Sequence, residues 1–180
     1  MSSSPSTDSS IRNLRFALPL VLILFGMFTR LIPHPPNFTA IGAVALFAGA
    51  RLKPRILGIL VPVLAMFLTD LFLGLHTGMG WVYVSLLPLC LMGFWIQPNQ
   101  PAKVLGFGVL GSVVFYLLSN FGVWYGSPIY SADYAGLLAC YIAGLPFLGS
   151  FVAATAFYSV VLFGADRVLS PWGRFAQDAA

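Results

Sequence analysis

The sequence predicts an all-α protein: a polytopic membrane bundle of six transmembrane helices. Three observations predict it. First, 59% of the 180 residues are hydrophobic and 8% are charged, against about 25% charged in soluble domains. With a mean hydropathy of +0.91, the surface itself must be apolar, which makes lipid the expected solvent. Second, the apolar runs do not alternate with polar residues, as barrel strands would over about ten positions. Lipid demands internally paired backbone, so helices are the remaining solution. Third, the nine basic residues stand at the ends of apolar runs, not in a cluster suited to nucleic acid. No nucleic-acid partner is expected.

Residues 1–10 are polar and low in complexity. They bury too little apolar surface to offset ordering entropy, so a disordered tail is expected. Leu14–Ile32 reads as the first span. It lacks a small-residue cleavage site and so does not read as a signal peptide. Pro19 falls in its first turns, where a missing N–H is tolerated. His34-Pro35-Pro36-Asn37 is a non-helical connector, because proline holds the preceding residue extended.

Phe38–Ala50 is a short second segment. Thirteen residues rise only about 20 Å, short of a hydrocarbon core of about 30 Å. Its Ala40, Gly42, Ala43, Ala45, Ala48, Gly49 and Ala50 favour close helix packing inside the bundle. Arg51-Leu52-Lys53-Pro54-Arg55 is a tight basic turn.

Ile56–Gly74 is the third helix, kinked at Pro62. Trp81–Ile96 is the fourth, with Trp81, Tyr83 and Trp95 as interfacial aromatics. Val104–Gly122 is the fifth, and residues 123–135 form a long aromatic outer loop. Gly136–Gly144 is a short helical lead-in, broken at Pro146, before a sixth span, Pro146–Val168. Residues 11–170 thus form the membrane domain, and 171–180 a C-terminal tail.

Six crossings with both termini cytoplasmic place Arg12, Arg15, Arg51, Lys53, Arg55, Lys103, Arg167 and Arg174 inside and only Arg30 outside. This is the positive-inside pattern. The outer ends then collect Arg30, His34, Asn37, Asp70, His76, Asn120, Trp124, Tyr125, Tyr130 and Asp133. Few ionisable groups lie mid-membrane, which argues against a proton relay. A cup open to the outside is the expected site, with Arg30, His34, Asn37, Asp70, His76, Asn120, Trp124 and Tyr130 as substrate-binding candidates.

Each candidate has a second reading. Asp70 either touches a ligand or pairs with Arg30. His34 and His76 could share a metal with Asp70, although their spacing is no recognised motif. Asn37 precedes an apolar run and reads as a helix cap. Trp124, Tyr125 and Tyr130 are an interfacial belt or a pocket wall. Cys90 and Cys140 show neither metal nor disulfide spacing. No nucleophile, zinc or phosphate-loop motif is present, so neither enzyme activity nor a cofactor is expected.

Ala40-Ile41-Gly42-Ala43-Val44-Ala45, Thr69-Asp70-Leu71-Phe72-Leu73-Gly74, Pro35-Pro36-Asn37-Phe38-Thr39-Ala40, Ser119-Asn120-Phe121-Gly122-Val123-Trp124 and Leu145-Pro146-Phe147 resemble the substrate-binding S components of energy-coupling factor transporters. They are also similar to small uncharacterised bacterial membrane proteins related to those S components. The resemblance spans roughly residues 14–168. It implies a bacterial inner-membrane protein that captures a vitamin-like solute or a metal from outside. It also implies a membrane scaffold partner carrying ATPase subunits. The docking face would be Ala40, Ala43, Ala45 and Gly49, on the second apolar segment and not on the first helix as in those proteins. The alternative from another class is a small structural or assembly subunit of a larger membrane complex.

Overall fold

The computed structural model describes residues 5–97, 99–126 and 128–169, with side chains over 17–168 of these. Six helices follow in order: α1 (Pro5–Leu31), α2 (Ile41–Arg51), α3 (Arg55–Leu73), α4 (Met79–Gly93), α5 (Pro101–Gly126) and α6 (Tyr134–Leu169). Three of them, α3, α5 and α6, are long and apolar enough to cross a membrane; the apolar parts of α1, α2 and α4 are shorter. Large apolar side chains face outward on the long helices, among them Phe67, Leu71, Val109, Leu117, Ile142 and Val160.

The short helix α2 is the axis of the bundle. Every residue from Ile41 to Gly49 is buried. It packs against α3, α4 and α6 and more lightly against α1 and α5. Small residues permit this, because they let backbones approach. A Cβ at Gly49 would collide with the Cys90 carbonyl of α4, and one at Gly93 with the Leu46 carbonyl of α2. On the other side, a Cβ at Gly58 of α3 would meet the Ala48 carbonyl at 3.0 Å. The expectation that the second segment is packed inside the bundle therefore holds. Its consequence corrects another reading. Ala40, Ala43 and Ala45 are fully buried and Gly49 is buried with them. A stripe expected to dock a partner is enclosed by the chain's own helices.

Several boundaries differ from expectation. Helix α1 begins at Pro5, so helix enters the segment expected to be a disordered tail, and Pro19 lies well inside it. Residues 1–4, and the tail expected over 171–180, lie outside the described residues. Helix α4 stops at Gly93, ahead of the expected Ile96. Helix α5 runs on to Gly126, so Trp124 and Tyr125 stand on its last turn and the outer loop is shorter. Helix α6 continues through Pro146 as one element of 36 residues. A proline removes one helical hydrogen bond, and within a packed bundle that loss bends a helix without ending it.

Asp133 starts α6. Its Oδ1 accepts hydrogen bonds from the Gly136 N–H (2.7 Å) and the Ser131 hydroxyl (2.8 Å). This is an N-cap: the carboxylate takes up a backbone donor that the helix leaves free. The Gly136 N–H first, and then the Ser131 hydroxyl, hold the Asp133 carboxyl below the usual carboxylate range.

Candidate functional site

Helix α1 ends in two polar residues with different partners. Thr29 is buried; its hydroxyl donates to the Gly26 carbonyl (3.0 Å) and accepts from the Ala40 N–H (3.1 Å). One side chain thus ties the end of α1 to the start of α2. Between them the chain turns at Pro35-Pro36-Asn37-Phe38, closed by the Phe38 N–H to the Pro35 carbonyl at 2.9 Å. Asn37 has φ of 60°. A proline followed by a residue with positive φ is the pattern of a type II turn, and asparagine tolerates that conformation better than most. Asn37 is therefore a turn residue. The cap reading is corrected: α2 is preceded by Ala40, with no side-chain cap.

Arg30, the second polar residue, points across to α3 and forms an ion pair with Asp70 Oδ1. A guanidinium nitrogen also touches the Met66 sulfur. The second carboxylate oxygen of Asp70 accepts from the Tyr83 hydroxyl of α4 at 2.7 Å. Asp70 is 2% exposed, so nearly all its interactions come from these two donors. The Arg30 Nε–H is buried and has no partner. Burying a charge pair is costly unless its hydrogen-bonding capacity is met, and here one donor remains unmet.

Beside this network lies a cleft of about 170 Å³. Each helix contributes to its wall: Arg30 from α1, Ile41 from α2, Met66 and Leu73 from α3, Val82 from α4, Phe115 from α5 and Phe151 from α6. His34, Asn37 and Thr39 of the connector line it as well. The shortness of α2 makes the space. Eleven residues rise about 16 Å, and beyond its first turn the bundle centre is closed by connector instead of helix. Phe115 and Phe151 stack at 4.3 Å between centroids. With Asn37 they also line a smaller cavity that reaches Tyr116, Ser119 and Asn120.

The structure brings together half of the expected set. Arg30, His34 and Asn37 line the cleft, and Asp70 supports it through Arg30. His34 lies with Nε2 3.3 Å from the Arg30 carbonyl and Nδ1 2.8 Å from the Pro35 carbonyl. Asn120 donates to the Tyr116 carbonyl (2.9 Å) and borders only the small cavity. Gly144 of α6 sits directly on its amide, where no Cβ would fit.

The others lie elsewhere. His76 is exposed, with Nδ1 2.9 Å from the Thr77 carbonyl. Trp124 donates to the Ser131 carbonyl (2.9 Å) and belongs to an aromatic group with Phe121, Tyr125 and Trp81. Neither Trp124 nor Tyr130 lines the cleft. His34 and Asp70 both meet Arg30, at its carbonyl and its guanidinium respectively, and His76 meets the Thr77 carbonyl. Among the described residues no group of three or more His, Cys, Asp or Glu could hold a metal ion.

Sequence reasoning missed Tyr83, Thr39, Phe115 and Phe151. Tyr83 had a usable signal: a lone carboxylate in an apolar helix needs donors, and Tyr83 opens the next helix. The two phenylalanines had none, since each is one apolar residue in an apolar run.

These features define an all-helical bundle with three helices long and apolar enough to cross a membrane and, at one end, a largely apolar cleft bordered by Arg30 and the polar connector. The chain belongs to DUF6580, a family of unknown function, which matches residues 10–176. Neither a curated protein nor a solved structure matches it.

Proposed function

We propose that this is a membrane solute-binding protein for uptake, of the S-component kind, holding a small molecule in the cleft beside Arg30. All six helices would then cross the bilayer, with both termini cytoplasmic and the cleft facing outward. The observation that carries the reading is the convergence of all six helices on a cleft lined by a half-buried, incompletely satisfied arginine. Ionisable groups at membrane depth are costly and mark functional sites by default. Pockets with apolar walls and a few placed polar groups are the usual form of a ligand site. A scaffold with ATPase subunits would have to dock on a face other than the buried Ala40–Gly49 stripe.

Mass spectrometry of small molecules retained by gently purified protein tests this. The expected result is one retained solute, lost when Phe151→Trp fills the cleft and kept when Lys53→Ala alters the opposite end. Protein that carries no solute, or the same solute in both variants, contradicts the proposal. Recovery only as part of a larger membrane complex would favour an assembly subunit instead.

A further inference from the structure

We propose that the end carrying the basic turn is a docking surface for acidic phospholipids, whose phosphates meet Arg55 and Lys103 beside the exposed Trp95. This goes beyond the solute-binding reading and is independent of what the cleft holds.

Charge is the first observation. Among the described side chains, that end holds Arg51, Lys53, Arg55, Lys103 and Arg167, with Asp166 as its one carboxylate. Asp166 is taken by Arg51, and the other four cations are exposed and have no anionic partner among the described residues. A headgroup of net negative charge is the complement of such a surface. The placement of two of these cations is the second observation. Arg55 of α3 lies over the Phe94 ring, 5.2 Å from its centroid, and Lys103 of α5 donates to the Trp95 carbonyl at 3.3 Å. Phe94 and Trp95 are consecutive residues at the end of α4, so cations from two helices are anchored to neighbouring residues of a third. Each keeps donors to spare. The carbonyl takes one of the three ammonium donors of Lys103, and a ring contact leaves Arg55 its N–H fork, which matches phosphate geometry. The third observation separates a lipid from a free anion. Exposed apolar side chains run along the same helices: Ile56 and Leu60 on α3, Leu91 before Trp95 on α4, Leu105 and Val109 on α5. Each pair is four residues apart and so shares one helix face. The surface is thus cationic at its edge and apolar beyond it, with Trp95 63% exposed where the two meet. Its partner is acidic at one end and apolar along its length. That describes an acidic phospholipid, and neither a free phosphate nor a polar acidic peptide.

Spin-label measurements on the full chain in phosphatidylcholine vesicles test this, with a trace of chain-labelled phosphatidylglycerol or phosphatidylcholine as the probe. The protein-associated fraction gives a relative association constant for each lipid. Phosphatidylglycerol should be favoured by about fivefold, the preference that one cation near an acidic headgroup supplies. The preference should shrink in roughly 1 M salt, where charges are screened beyond about 3 Å. Arg55→Gln combined with Lys103→Gln should bring the ratio close to one. Arg55→Lys combined with Lys103→Arg keeps both charges and should keep the preference. Excess inorganic phosphate at constant ionic strength should leave the ratio unchanged. Equal association of the two lipids with the unaltered chain would overturn the proposal and point to an acidic protein segment as the partner of this end. A preference that survives the double glutamine variant, or is lost in the charge-keeping one, would overturn the assignment to Arg55 and Lys103. Competition by inorganic phosphate would reassign the surface to a free anion.

Discussion

At each end of the bundle an arginine of one helix reaches an aspartate of another, and the two pairs are not equivalent. At the end that carries the basic turn, Arg51 Nε lies 2.7 Å from Asp166 Oδ2, and the Asp166 side chain is 24% exposed. Arg51 lies over the Phe163 ring and Arg55 over Phe94, and Lys103 donates to the Trp95 carbonyl at 3.3 Å. These cations rest on aromatic rings and carbonyls near the helix ends. At the opposite end the Asp70 side chain is 3% exposed, has a second donor in Tyr83, and stands beside a cleft. The two arginines are about equally shielded, Arg30 at 16% exposure and Arg51 at 13%, so the ends differ in their aspartates: Asp166 keeps water on one side, and Asp70 depends on protein donors.

Several substitutions can break that contrast, and the largest effect falls on the buried pair. Asp70→Ala leaves the part-buried Arg30 charge unpaired, and the loss approaches the roughly 3–5 kcal/mol of a fully buried pair as an upper bound. Thermal unfolding in detergent should show a large drop in midpoint. Asp166→Ala should cost about 0–1 kcal/mol, as partly exposed pairs do. Equal losses would show that depth does not separate the ends. Gly49→Leu should rank next, because overpacking at the α2–α4 contact costs about 1–3 kcal/mol. Little change there would mean that α2 is not the tight axis. Tyr83→Phe removes one donor from Asp70 and should cost about 1–3 kcal/mol. It separates the role of the hydroxyl from that of the ion pair in the same melting assay.

The smallest effect is a pH dependence at Asp133. Its folded-state carboxyl titrates below the usual carboxylate value. The deprotonated form is therefore favoured by folding. Its contribution is complete above the ordinary carboxylate pKa and fades as pH falls through the lowered one. Wild-type melting should thus lose ground in acid relative to Asp133→Asn, whose cap does not titrate. Parallel pH profiles would remove Asp133 from the cap.

Much of this architecture can be read from residue order, and some cannot, for physical reasons. Hydropathy marks the apolar helices because lipid-grade composition leaves few alternatives. Small residues from Ala40 to Ala50 announce close packing but not its partner, since alanine and glycine serve an internal contact and an external one alike. The structure resolves that ambiguity inward. Pro146 reads as a break because proline ends helices in water, yet α6 runs through it. The pairing of Arg30 with Asp70 stands in the sequence as one of two open readings, because each is the only formal charge near its helix end. The cleft walls Phe115 and Phe151 stay hidden, as nothing distinguishes them from neighbours that face outward. Asn37 is conspicuous for the right position and the wrong reason: its turn geometry, not a helix cap, selects it.

The proposed function requires the two ends to face different compartments. Cysteine-accessibility labelling in intact cells tests that directly. Cys90 and Cys140 are buried, so background labelling should be low. His76→Cys, on an exposed turn beyond α3, should react with an impermeant maleimide added outside, and Lys53→Cys should react only after the membrane is opened. Labelling of both from the same side would contradict the account.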